Sequence, residues 1–117
     1  MKEFDLKSRT KSFALRIIKL FTSLPKSPEA QVIGKQVLRS GTSVGAQYRE
    51  ACRSRSNSEF ISKMQSSLQE LDETAYWLEL LVDGDMVKPE KLTELRKETD
   101  ELIAIFVTSV KTAKAKK

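Results

Sequence analysis

Residues 36–60 read QVLRSGTSVGAQYREACRSRSNSEF, and they decide the fold because one helix, its end and the start of the next are all written in them. With Ile33 just upstream, Val37, Val44 and Tyr48 recur at helical spacing, while Lys35, Arg39, Arg49, Glu50 and Arg53 point the other way. At about 100° per residue, Gly34, Gly41, Gly45 and Cys52 fall within roughly 40° of one another beside Leu38. Each glycine inside a helix costs about 1 kcal/mol against alanine. Three on one seam therefore predict that another backbone, from this chain or from a second subunit, approaches closely; tolerated small residues are the plainer alternative. Ser56-Asn57-Ser58-Glu59 is a capping box, so a new helix begins near Asn57.

Working outward, the same rules supply the other elements. Leu6, Phe13, Ile17, Leu20, Phe21 and Leu24 share one side of a first helix, with Arg9, Arg16 and Lys19 pointing away; Leu24-Pro25 ends it. Ser27-Pro28-Glu29 opens the second helix with a capping serine, a proline at the first position and an acid near the positive end of the dipole. Downstream, Phe60, Met64, Leu68, Leu71, Ala75, Leu78 and Val82 form the stripe of a third helix. Trp77, Leu80 and Leu81 lie off that stripe, so a lone bundle exposes an apolar patch there, to be covered by another subunit or by a loop folding over it. Asp83-Gly84-Asp85 turns the chain. Lys88-Pro89-Glu90 starts a fourth helix with Leu92, Leu95, Leu102, Ile103, Phe106 and Val110 inward. The expectation is an all-α fold in one domain, 1–117: an antiparallel up-down-up-down bundle with helices at about 5–24, 28–53, 57–83 and 89–112, and a frayed basic tail at 113–117.

Composition agrees and removes several functions. The chain's 117 residues suit one modest core, and three prolines and four glycines leave room for long helices. Cys52 is the single cysteine, so an internal disulfide is impossible, and the start MKEFDLKSRTKSF lacks the apolar run of a signal peptide. A cytoplasmic location is the expectation. The apolar run IAIFV at 103–107 is far short of the roughly 20 residues that cross a bilayer, so no membrane association is expected. Net charge alternates along the chain: +5 over 1–26, +3 over 27–58, −6 over 59–87 and +3 over 88–117. Such a pattern serves helices or subunits that attract one another, and equally a basic surface for nucleic acid.

Catalytic machinery is hard to assemble. Histidine is absent, one cysteine cannot build a thiolate metal site, and the Glu-x-x-His pairs of a carboxylate di-iron bundle do not occur. Glu70, Asp72 and Glu73 read as a solvated acidic face. Cys52 has arginines nearby but no general base. Gly41 and Gly45 sit inside a helix, not in a phosphate-cradling loop. No enzyme, metal or cofactor is expected. Arg39, Arg49, Arg53 and Arg55, together with helix-one lysines and the 111–117 tail, are candidates for phosphate contact, and each is also a candidate for an ion pair with an acid of helix three.

Four stretches carry a resemblance: RTKSFALRII at 9–18, LP at 24–25, KQVLRSGTSVGAQYREACRSRSNSEFISK at 35–63 and ELDETAYWLELL at 70–81. Together they span nearly the whole chain, which resembles the four-helix-bundle proteins encoded in intervening sequences of bacterial 23S ribosomal RNA genes. The resemblance implies a closed homopentamer. It also implies kinship with the accessory protein of diversity-generating retroelements, which acts with a reverse transcriptase and binds nucleic acid, so RNA, DNA or such an enzyme becomes an expected partner. Gln36, Arg39, Ser40, Ser43, Arg49, Glu50, Arg53, Ser56, Glu59 and Phe60 match the family motif, for which the resemblance implies a structural role; many members carry asparagine where this chain has Gln47. Subunit-interface candidates are Gly34, Gly41, Gly45, Trp77, Leu80 and Leu81. The function so expected is a non-enzymatic oligomeric scaffold that binds nucleic acid, or a pure protein-interaction module.

Overall fold

Each helix starts and stops where its flanking residues demand. The structure, a computed structural model, describes residues 5–116 and contains α1 (Leu6–Ser23), α2 (Pro28–Cys52), α3 (Asn57–Asp83) and α4 (Pro89–Ala115), with no strand among the described residues. Asp5 caps α1 by accepting from the Ser8 amide, and extended Leu24 before Pro25 ends it. Ser27 caps α2, with Pro28 in the first turn. At α3, Ser56 accepts from the Glu59 amide at 3.1 Å, while the Glu59 carboxylate reaches back one residue further than the usual box, to the Arg55 amide at 2.8 Å.

The helices alternate in direction. Gly45, Gly41 and Gly34 face Thr10, Ile17 and Leu24 in turn, so α2 descends as α1 rises. Ser67 Oγ donates to the Val44 carbonyl and Ser40 pairs with Thr74, which runs α3 antiparallel to α2. Asn57 Nδ2 donates to the Ala113 carbonyl, bringing the end of α4 beside the start of α3. The bundle measures 50 × 24 × 21 Å. Its most extensive contact is α2 on α3; α1 lies against α2 and α4 against α3, while α1 and α4 touch at few points.

Inward positions recur mostly at steps of three and four residues, and on α3 these alternate strictly. On α3 the fully enclosed row is Met64, Ser67, Leu71, Thr74, Leu78 and Leu81. This row differs from the expected stripe, whose Phe60, Leu68, Ala75 and Val82 are half-buried on its flank. Ser67 and Thr74 hid the true row because hydroxyls do not register as apolar, yet both are satisfied by hydrogen bonds and buried. Leu81 is accordingly a core residue with 0% exposure and not a surface for another subunit. The loop after α3 completes its cover: the Met86 and Val87 amides donate to the Leu81 carbonyl at 2.9 and 3.1 Å, and both side chains pack on the core.

Three other expectations change. Arg9 does not point away from the bundle; its guanidinium meets Glu98 at 2.8 Å and Glu101 at 2.7 Å, tying α1 to α4. The expected tail at 113–117 is helical through Ala115, and Ala113 is buried, because Asn57 holds its carbonyl; Lys117 lies outside the described residues, as do residues 1–4 of the domain. The glycine seam is occupied within the chain, by α1. Cys52, placed on the same seam, is exposed. No helix among the described residues is long and apolar enough to cross a membrane.

Candidate nucleic-acid interface

One end of the bundle gathers the start of α1, the end of α2, the start of α3 and the end of α4. Lys7 and Lys11 come from α1, and Lys11 shares an outer groove with Arg49 of α2, floored by Thr10, Ala14, Thr42, Gly45 and Ala46. Arg53 is the C-cap of α2 and Arg55 lies in the turn to α3; Lys111, Lys114 and Lys116 arrive with α4. All eight of these cations are exposed. The turn that carries two of them is well tied: the Arg53 amide donates to Glu50, the Ser54 amide to Ala51 and the Arg55 amide to the Glu59 carboxylate.

Among the described residues, the carboxylates at this end are occupied. Glu50 binds Lys63 at 2.9 Å, which raises the lysine pKa, and Glu59 serves the capping box. Asp5 caps α1. Among the described residues, no ion pair forms at Arg49, Arg53 or Arg55. Cations at the C-termini of α2 and α4 also complement the negative ends of those helix dipoles, so part of their placement serves the fold.

The candidate residues therefore separate. Arg49, Arg53 and Arg55 come together; Arg39 does not join them. It lies mid-bundle, with Glu73 at 3.3 Å and Glu70 at 3.8 Å. Burial pushes the Glu70 pKa up, the like charge of Glu73 adds to this, and Arg39 opposes both. Gly34, Gly41 and Gly45 pack against α1, whereas half-buried Trp77 and Leu80 lie along the α2–α3 seam. Sequence reasoning named the helix-one lysines and the C-terminal lysines without joining them to Arg53 and Arg55, because nothing local says that residues 56 apart are hydrogen-bonded; the Asn57–Ala113 bond does this. No group of three or more acidic or cysteine side chains capable of holding a metal ion occurs among the described residues.

With this geometry in view, comparison with known proteins gives a family. The 23S rRNA-intervening sequence protein family matches residues 2–108. The chain belongs to that family. A crystal structure at 1.70 Å of a protein of unknown function from the S23 ribosomal protein family of Bacteroides thetaiotaomicron VPI-5482 is 36% identical, with a TM-score of 0.84 over 90% of this chain and 97% of that one. No curated protein matches. The family resemblance expected from residues 9–81 is thus established, together with its four-helix fold, and the function of its solved relative is unknown.

Proposed function

We propose that this member of the 23S rRNA-intervening sequence family is a non-enzymatic cytoplasmic scaffold that assembles with copies of itself, as a homopentamer, and holds nucleic acid, or an enzyme working on nucleic acid, at its basic end. The observation that carries the reading is the convergence of eight exposed cations from three helices and the α2–α3 turn on one end, beside carboxylates already engaged elsewhere. Phosphate contact explains why a bundle would leave Arg49, Arg53 and Arg55 without ion-pair partners among the described residues. A single exposed cysteine fits a reducing compartment.

Binding of RNA and of DNA at two salt concentrations tests the reading. Wild-type affinity falls steeply with salt, and replacing Arg49, Arg53 and Arg55 by alanine reduces the logarithmic slope by about 2–3, at about 0.9 per lost phosphate contact. Affinity that ignores salt, or a variant that binds as well as wild type, removes the nucleic-acid function. Arg39 favours the competing reading of a pure protein-interaction module at one position only, since its partners are carboxylates of its own chain. Light scattering tests assembly: a 13.3 kDa particle at micromolar concentration ends that half of the proposal.

A further inference from the structure

The basic end carries a groove that phosphate contact alone leaves without a role. It runs between the start of α3 and the end of α4 and has a volume of about 420 Å³. Asn57 and half-buried Phe60, one helical turn apart, form the α3 wall; Thr108, Ser109, Thr112 and Lys116 form the α4 wall. The two walls are fixed against each other, because Asn57 Nδ2 holds the Ala113 carbonyl at 2.7 Å and Phe60 packs on the core.

The hydroxyls of this groove differ from the others in the chain. A threonine inside a helix can return its hydroxyl to a carbonyl one turn back, and Thr10, Thr22, Thr42, Thr74, Thr93 and Thr99 all do so. Thr108 and Thr112 are the two remaining threonines. Both line the groove, and neither side chain makes a hydrogen bond among the described residues. The Ser109 hydroxyl between them makes none either, and Asn57 Oδ1 accepts none. Charge at the groove favours an anion. From Leu102 to Lys117 the chain has no carboxylate, and between Asn57 and Gln69 it has only Glu59, whose side chain is bound to the Arg55 amide. Exposed Lys116 lines the groove, and exposed Arg55 stands in the turn just before Asn57.

We infer that the nucleic acid held at this end is single-stranded, with one unpaired base lodged against Phe60. The base's polar edge meets Asn57 and the free hydroxyls, and its flanking phosphates lie on Arg55 and Lys116. An aromatic ring, unengaged hydroxyl and amide groups and adjacent cations are together what a nucleotide taken out of a stack requires. A duplex presents its phosphates but keeps its base faces covered, so it reaches the cations and leaves the groove empty. Hydroxyls donate and accept alike, so the selection is for strandedness and not for sequence. This rests on the proposed nucleic-acid binding and names the class of its ligand.

A fluorescently labelled strand of mixed sequence, alone and annealed to its complement, tests the inference against wild type, Phe60→Leu and the double variant Thr108→Val/Thr112→Val. Wild type binds the single strand about tenfold more tightly than the duplex, within the range that one base stacked on an aromatic ring supplies. Each variant loses that preference and keeps the wild-type salt slope, because the phosphate contacts remain. Thr108 and Thr112 are exposed, so the double variant keeps the wild-type circular dichroism even if Phe60→Leu loosens the core. A wild type that binds neither form ends the nucleic-acid reading as a whole, and this inference with it. Equal affinity for strand and duplex, or a preference that survives in the threonine variant, overturns the groove alone and leaves the basic end as a phosphate-binding surface.

Discussion

At Gly41 the Ile17 side chain of α1 packs directly against the α2 backbone. A Cβ built on Gly41 would stand 2.7 Å from Ile17 Cγ1 and within 3.1 Å of two further Ile17 carbons, and Ile17, itself fully buried, has nowhere to go. Gly41→Ala gains about 1 kcal/mol of helix propensity and loses about 1–3 kcal/mol to overpacking, so urea denaturation should show a net loss of about 1 kcal/mol. At Gly34 the nearest atom is the end of the flexible Leu24 side chain, and the same change is milder. Glu70 is a second residue whose surroundings set its behaviour. Its pKa is raised in the folded state, chiefly by burial. Folding therefore opposes its ionisation, and the penalty is present at neutral pH and relieved as pH falls through the folded-state value and then the ordinary carboxylate range. Glu70→Gln should raise the denaturation midpoint at pH 7, with the gain vanishing in acid. A gain that persists unchanged at low pH would mean that the benefit comes from something other than charge.

At the scale of the element, α3 is the helix whose inward face was hardest to read. Its stripe was legible in type and period, and three of its seven residues, Met64, Leu71 and Leu78, lie in the enclosed row, but the row is centred on Ser67 and Thr74, which only their partners on α2 and their own backbone make suitable for a core. Thr74 Oγ1 donates to the Glu70 carbonyl, so the proton between the two hydroxyls comes from Ser40. Thr74→Val leaves the buried Ser40 hydroxyl without its acceptor, while Ser40→Ala leaves Thr74 still bonded. Thr74→Val should cost about 1 kcal/mol more than Ser40→Ala, and the double variant should be more stable than the sum of the two losses implies. Additive losses would show that the pair contributes no coupling between α2 and α3. The starts of α2, α3 and α4 and the end of α1, by contrast, were legible almost to the residue, because Ser27, Ser56, Pro28, Pro89 and Leu24-Pro25 act through their immediate neighbours, whereas the end of α4, held by distant Asn57, was not.

Across the whole molecule, α2 and α3 form the central pair and α1 and α4 each rest on one of them. Closure between α1 and α4 depends on Arg9, whose forked contact with Glu98 and reach to Glu101 keep it firmly cationic; the hydrogen bond to Glu98 is the main cause. Arg9→Met should cost about 1–2 kcal/mol, and native-state hydrogen exchange should show the loss as faster opening of α1 while the slowest amides stay in α2 and α3. Uniform acceleration over all four helices would place Arg9 in the global core instead.

The chain by itself determined four helices, their order, the caps of α2 and α3 and their family, since these depend on periodicity and on groups within a few residues of one another. It also supplied the arginines of the basic end. Only the tertiary structure decided that the glycine seam from Gly34 to Gly45 is filled by α1, that Leu81 is enclosed, that Arg39 is occupied while Arg53 and Arg55 join Lys114 at one end, and that Arg9 turns inward. The physical reason is common to all four. Which side of an amphipathic helix is innermost, and which charge meets which, depends on the rotation of each helix against its neighbours, and that rotation is set by contacts between residues far apart in the chain.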